Sequence, residues 1–322
     1  MNILISSAGR RVSLVRAFQK ELNNLDPSFK VLASDADPQL SAACHVADDC
    51  IGLPLVTASD YMDVLIRKCK KKGIKIVVPT IDTELSLLAL NRGRFKDAGI
   101  ELVISDQALI DQCRDKRRIH SFFKSHHVDV AKEYTKDNYQ LPMFLKPYDG
   151  SRSVDTFLIK KEEDLNEYHR NHERLMFLEY IDHNLYDEFT CDLYYDRQHH
   201  LRCAVPRKRI EVRDGEVNKG VTENGYLVAY LRDRMAKVEG AMGCLTAQFF
   251  KHKEENIVYG IEINPRFGGG FPLTYLAGAN FPKWIIDEYL LNKNVPDAFD
   301  CWEDNLMMLR YDDEILVHGS KG

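Results

Sequence analysis

The densest set of chemically useful residues is Ile261-Glu262-Ile263-Asn264-Pro265-Arg266, followed at once by Phe267 and by Gly268, Gly269 and Gly270. Its alternation predicts a β-strand that puts Glu262 and Asn264 on one face and turns Ile261 and Ile263 into a core. Leu245 to Lys251 alternates in the same way, and the loop from His252 to Asn256 is expected to fold it back as an antiparallel neighbour. With residues 248 and 260 paired across that hairpin, Gln248 lies diagonal to Glu262 and Gly260 leaves room. A carboxylate, two amide oxygens and the nearby Arg266 suit a hard cation that carries phosphate oxygens. An ordinary polar surface hairpin competes with that reading for Glu-x-Asn alone. The longer string favours Gln248, Glu262 and Asn264 as a metal set.

A second group lies upstream. Met143-Phe144-Leu145-Lys146-Pro147 reads as a strand that delivers Lys146 to a turn at Asp149-Gly150-Ser151-Arg152-Ser153. A lysine beside a loop of small residues neutralises phosphates while backbone N–H groups approach them closely. It is not a Walker A loop, since G-x-x-x-x-G-K-[ST] is absent. Arg207, Lys208 and Arg209 on a strand from Leu201 to Val212 could hold a carboxylate or phosphate, and an exposed hairpin explains them equally well. Arg10 and Arg11, after Ser6-Ser7-Ala8-Gly9, either meet an anion or are solvated charges at a helix start. Asp82 and Glu84 are weaker site candidates at another strand end, where helix capping explains Asp82 equally well.

The elements that position these groups follow from periodicity. Strands at Asn2 to Ser6, Lys30 to Ser34, Ile74 to Pro79 and Ile100 to Ile104 alternate with helices at Val12 to Leu22, Asp60 to Lys72 and Thr83 to Leu90, which implies a doubly wound parallel sheet. Such sheets bind ligands at the carboxyl ends of their strands. A nicotinamide domain with Asp35 on the ribose is disfavoured, because one glycine stands where G-x-G-x-x-G needs three. Near residue 105 the pattern changes. Ser105 is expected to cap a short helix, and a second helix, Asp115 to Ser125, turns Ile119, Phe122 and Phe123 inward. A helix through Met235, Val238 and Met242 is expected before the metal hairpin, a helix from Phe281 to Leu291 after it, and edge strands at Leu306 to Leu309 and Ile315 to Val317.

Bulk properties limit the function. The chain has 322 residues, enough for two or three subdomains. Its 44 basic and 49 acidic residues leave a net charge of -5, which argues against nucleic acid as a partner. Eight cysteines without a C-x-x-C pair suggest reduced thiols rather than a zinc site or a disulfide framework. No apolar run approaches the roughly 20 residues needed to cross a bilayer. The expectation is a cytoplasmic protein that engages no membrane.

Gln248-Phe249, the string from Ile261 to Arg266, and Ala277-Gly278-Ala279-Asn280-Phe281-Pro282 together resemble the magnesium-binding end of ATP-grasp enzymes. The resemblance is closest to the carbamoyl-phosphate synthase large subunit and its single-copy relatives, and it covers residues from about 105 to 282. It implies a pre-ATP-grasp α/β domain over 1–105, a lid subdomain with a glycine loop over 106–180, and a C-terminal subdomain with the metal site over 181–322. Lys116, in Asp115-Lys116, would reach nucleotide phosphate. Lys146 with Gly150, Ser151 and Ser153 would form the phosphate loop, although Arg152 and Asp155 stand where the family has small residues. Glu179, Tyr180 and Ile181 would be the adenine hinge, and Glu188 the ribose carboxylate. Lys219 to Glu223 faintly resembles a loop near the triphosphate.

The resemblance further implies an enzyme that uses ATP and Mg²⁺, with Mn²⁺ as a substitute, to turn a carboxylate into an acyl phosphate. An amine or ammonia then displaces phosphate, forming a C–N bond. Lys146 and Arg266 would be the catalytic cations, with Arg266 steadying the acyl phosphate. The leading expectation is a carboxylate-amine ligase acting on a small metabolite, compatible with a homodimer. Bicarbonate and ammonia as substrates come second, since one unit stands where the full synthase subunit has two. A kinase and a nonenzymatic nucleotide-binding protein complete the alternatives.

Overall fold

The computed structural model describes residues 1–150, 154–213 and 215–319. Ser151 and Ser153 lie outside the described residues, as do Arg152 and Asp214. The chain opens with β1 (Asn2–Ser6), α1 (Val12–Leu25), β2 (Val31–Asp35), α2 (Ala42–Val46), β3 (Asp49–Gly52), α3 (Tyr61–Lys71), β4 (Ile74–Pro79), α4 (Asp82–Leu90), α5 (Arg92–Asp97) and β5 (Glu101–Leu102). The five strands form a parallel sheet in the order β3-β2-β1-β4-β5. Helices cover its faces, so Ile3, Leu4 and Ile5 are fully buried and the strands read as continuous apolar runs. Strand β3 was not expected; it is four residues long, with a single buried position to signal it.

The order runs outward from β1 in both directions, so a crevice forms beyond the carboxyl ends of β1 and β4. The turn after β1 places Ser7 and Gly9 at φ 51 and 49. Thr80, after β4, donates its hydroxyl to the Ser7 carbonyl at 2.7 Å. The two strand ends are thereby locked together at the crevice.

The next elements are α6 (Gln107–Cys113), α7 (Lys116–Ser125) and β6 (Asp129–Val130). Asp106, not Ser105, occupies the cap position of α6; Ser105 Oγ accepts instead from Met242 N–H at 3.3 Å. Asp115 caps α7, accepting from Arg117 N–H at 2.9 Å. A small antiparallel sheet follows, built from β7 (Glu133–Tyr134), β8 (Met143–Pro147), β9 (Phe157–Ile159) and β10 (Leu175–Glu179), with α8 (Glu167–Asn171) before its last strand. It has its own core of Met143, Leu145, Ile159, Leu165, Leu175 and Phe177.

The remainder is β11 (Tyr186–Tyr195), β12 (Leu201–Arg213), β13 (Glu216–Thr222), α9 (Tyr226–Arg234), β14 (Gly243–His252), β15 (Val258–Asn264), α10 (Phe271–Leu276), α11 (Phe281–Tyr289) and β16 (Met307–Leu309). With β6 they form a seven-stranded sheet, β16-β13-β12-β11-β14-β15-β6, antiparallel except where β6 joins β15. Three sequence expectations fail here. The helix ends at Arg234, because Ala236 and Lys237 are drawn onto the start of β12 through Leu201 N–H and a bridge to His200, and Gly240 and Gly243 then take positive φ. Ile315 to Val317 forms no strand, since no partner strand lies beside it. Lys219 to Thr222, expected in a loop, belongs to β13 and pairs with β12 and β16.

The hairpin of β14 and β15 forms, with a different register. Gln248 stands directly opposite Glu262, Phe249 opposite Gly260, and Ile261 is the extra residue of a bulge. Ile261 is therefore half-buried, while Ile263 is 1% exposed in the core. The room at Gly260 serves Phe123 of α7, whose ring would lie 2.6 Å from a Cβ there. Gly260→Ala should accordingly destabilise the protein by about 1–3 kcal/mol through overpacking. The check is the thermal unfolding midpoint, and an unchanged midpoint would show that Phe123 does not dictate this register.

Candidate functional site

The crevice of the parallel sheet faces the exposed side of the β14–β15 hairpin, and the space between them is a cavity of about 880 Å³. Of the expected site residues, Lys116, Gly150, Gln248, Glu262, Asn264 and Arg266 line it. Lys146, Glu179, Tyr180, Ile181 and Glu188 stand outside its wall, toward the small sheet.

Strand β15 presents Glu262 and Asn264 two residues apart on one face, as alternation requires. Asn264 Nδ2 donates to Glu262 Oε1 at 3.0 Å, and the Gln248 side chain issues from the directly opposed position on β14. Among the described residues there is no group of three or more His, Cys, Asp or Glu able to hold a metal. One carboxylate with two amide oxygens is too weak a cage for a bare divalent ion. It fits Mg²⁺ that arrives with phosphate oxygens, since Mg²⁺ is ordinarily held by one or two carboxylates plus its substrate.

Lys116 joins this end to the small sheet. Its Nζ donates to the Gly150 carbonyl and lies 3.7 Å from Glu262 Oε2, while its backbone N–H donates to the Tyr148 carbonyl at 2.8 Å. Gly150 is confined by the Pro147 ring, 3.1 Å from where a Cβ would be. Lys146 leaves β8 beside this junction and makes no hydrogen bond or ion pair with a described residue. Burial lowers its pKa to about 8, with Lys116 adding to the shift and Glu262 and Glu188 opposing it. The side chain is only partly buried, so solvent screens part of this effect.

The hinge carboxylate is already engaged: Glu179 Oε2 accepts from Lys132 N–H at 3.2 Å. Tyr180 and Ile181 follow beyond the last ladder pair, Glu179 with Met143. Glu188 accepts from Arg209 Nη1 at 2.7 Å. The basic cluster on β12 is therefore no exposed hairpin at this point. Arg207 is 1% exposed, and its Nη2 lies 2.9 Å from Asp192 Oδ2 without hydrogen-bond alignment, so its guanidinium donors remain unsatisfied. Gly270 is needed there, because a Cβ would fall 2.0 Å from Arg207 Nη1, and at Gly269 a Cβ would fall 2.3 Å from the Glu216 carboxyl.

Three residues at the site were missed or underrated in the sequence. Asp82 does not cap α4; its Oδ2 accepts from Arg266 Nε and Nη2 at 3.2 and 2.8 Å. Glu216 pairs with Arg310 at 3.1 Å and Arg11 at 3.8 Å; burial opposes its charge, but Arg11, Arg310 and Arg10 outweigh it and hold its pKa below the usual value. His120 is buried behind the two lysines, and burial followed by Lys146, Lys124 and Lys116 pushes its pKa down to about 4, leaving a neutral imidazole. Only helical spacing could have hinted that His120 shares a face with Lys116.

Residues 3–103 match the family described as PylC-like, N-terminal domain, and residues 171–307 match the one described as ATP-grasp in the biosynthetic pathway with Ter operon. No curated protein matches the chain in sequence. Among solved structures, Rhizobium etli pyruvate carboxylase is 18% identical with a TM-score of 0.64, over 87% of this chain and 27% of that one. The biotin carboxylase domain of Hydrogenobacter thermophilus 2-oxoglutarate carboxylase, a dimer in complex with MgADP, ADP and bicarbonate, is 16% identical with a TM-score of 0.70, over 95% and 73%. The L-amino acid ligase of Bacillus licheniformis is 17% identical with a TM-score of 0.66, over 90% and 74%. At these identities the likeness is one of fold.

Lys146 gives the site a stability cost with a defined pH dependence. Below about pH 8 the folded protein holds its charge unpartnered; between there and the ordinary lysine value of 10.5 the unfolded chain binds the extra proton, so stability rises with pH across that window. Lys146→Met should therefore unfold at a higher temperature than the wild type at pH 7. The difference should shrink as pH rises from 8 toward 10.5; a pH-independent difference would contradict the buried-charge account.

Proposed function

We propose that this chain is an ATP-grasp enzyme, supported by the match over residues 171–307 and the shared fold, and that it is an ATP- and Mg²⁺-dependent carboxylate-amine ligase that acts on a small metabolite. The observation that carries the reading is the junction at Lys116, which ties the phosphate-loop carbonyl of Gly150 to the carboxylate of Glu262. Nucleotide phosphates and a metal are wanted at one point, and here the groups for both converge.

In this reading Glu179, Tyr180, Ile181 and Glu188 hold adenosine, Lys116 and Lys146 hold phosphates beside Gly150, Ser151 and Ser153, and Gln248, Glu262 and Asn264 hold Mg²⁺. MgATP, when bound, supplies the phosphoryl group that activates a carboxylate as an acyl phosphate. Arg266, which also lines the cavity, neutralises charge on the activated acid. Gly268 to Gly270 line the acceptor side and let Glu216 and Arg207 pack closely against the chain. The acid and the amine or ammonia enter from the crevice of the parallel sheet, where Arg11 stands. No helix among the described residues is long and apolar enough to cross a membrane; a cytoplasmic enzyme, and a homodimer like the Hydrogenobacter domain, fit this chemistry.

Bicarbonate as the acid is the second reading, supported by its presence in the Hydrogenobacter complex. Both readings are tested by ADP release with Mg²⁺ over a panel of carboxylates including bicarbonate, with and without amines. Acid-dependent ADP release is expected, and nucleotide binding without turnover on any acid counts against a ligase. Glu262→Gln and Asn264→Ala should each lower turnover by roughly 100-fold or more, since metal stabilisation of the transferring group is worth several kcal/mol. ATP binding in the absence of metal should persist in both, and near-normal turnover would sink the metal assignment.

A further inference from the structure

We propose that Asp82 binds the ammonium group of the incoming amine and accepts its proton as the amide forms, an inference that rests on the ligase reading above. Asp82 is the first residue of α4, after the cap position held by Ile81, where its charge favours the helix dipole. No helix N–H group donates to its side chain. Its Oδ2 is held by Arg266, 184 residues away in sequence, and among the described residues no hydrogen bond engages Oδ1. The side chain is 29% exposed and lines the cavity.

Arg266 is fixed on two sides, by Asp82 and by its own Nη1 donating to the Phe267 carbonyl at 3.2 Å. An acyl phosphate neutralised by Arg266 thus stands beside the open oxygen of Asp82. The other carboxylates lining the cavity are committed. Glu262 belongs to the metal end, Glu216 is held between Arg11 and Arg310, and Asp149 is drawn outward to Arg174 at 3.3 Å. The charged groups facing Asp82 are Arg266 from the loop after β15 and Arg11 from the start of α1, with Arg114 on the same cavity wall. Cys113 of α6 and Glu262 line the same cavity as Asp82.

The step balances as follows. The ammonium gives one proton to Asp82 and becomes an amine; its lone pair forms the C–N bond to the acyl carbon. The C–O bond to phosphate breaks with its electron pair leaving on phosphate, which takes the second nitrogen proton, and Asp82 returns its own to solvent.

Hydroxylamine, a weakly basic nucleophile already unprotonated at neutral pH, requires no such base. The test therefore compares wild type and Asp82→Asn with MgATP, the carboxylate that supports most ADP release, and either hydroxylamine or L-amino acids as nucleophile. Asp82→Asn should keep hydroxamate formation within a few-fold while amide formation at pH 7 falls by roughly 100-fold. The amide deficit should narrow as pH approaches the amine's own pKa. Loss of both products together would show that Asp82 only positions Arg266, and retention of both would show that it has no role; either overturns the proposal. Absence of acid-dependent ADP release in the wild type would instead remove the ligase reading itself, and this proposal with it.

Discussion

Everything at the site depends on the register of one hairpin. Phe123 of α7 occupies the space over Gly260, and Ile261 is bulged out in consequence. That single extra residue brings Glu262 from a diagonal to a directly opposed position against Gln248 while leaving Ile263 in the core. A one-residue slip would carry every side chain of β15 to the other face, sending Glu262 and Asn264 away from Lys116. Core packing on one side of the strand therefore decides the chemistry available on the other.

Around that hairpin, positive charge is assembled and then balanced from within. Arg209 meets Glu188, Arg207 meets Asp192, Arg11 meets Glu216 and Arg266 meets Asp82. Of these pairs only Arg207 with Asp192 is fully buried, and removing one of its partners leaves an uncompensated charge at a cost of about 3–5 kcal/mol. Pairing thus holds the guanidinium groups in place before any ligand binds. Lys146, outside the cavity wall, has a depressed pKa and no side-chain hydrogen bond or ion pair among the described residues.

The contact between the parallel sheet and β15 has two consequences. It closes the cavity, because the crevice beyond β1 and β4 alone would be open on one side. It also delivers Asp82 to Arg266, coupling the start of α4 to the loop after β15. The substrate-facing chemistry is shared between two folding units whose separate sequences each look incomplete.

The sequence by itself determined the parallel sheet, the β14–β15 hairpin and the strand that carries Lys146, because periodicity of apolar residues is a local property that the chain carries everywhere. It also singled out Glu262, Asn264, Gln248 and Lys116, which line one cavity in the fold, with Gln248 opposite Glu262 rather than diagonal to it. What it left open was whatever depends on contacts between distant segments. The bulge at Ile261 required Phe123, more than a hundred positions upstream. The end of α9 was decided by pairing of Ala236 and Lys237 with β12, which outcompeted a good helical pattern. Asp82 read as a capping residue because capping is a local interaction; only the tertiary structure brought Arg266 to it, and a charge-assisted hydrogen bond to a guanidinium outweighs one to a helix N–H group.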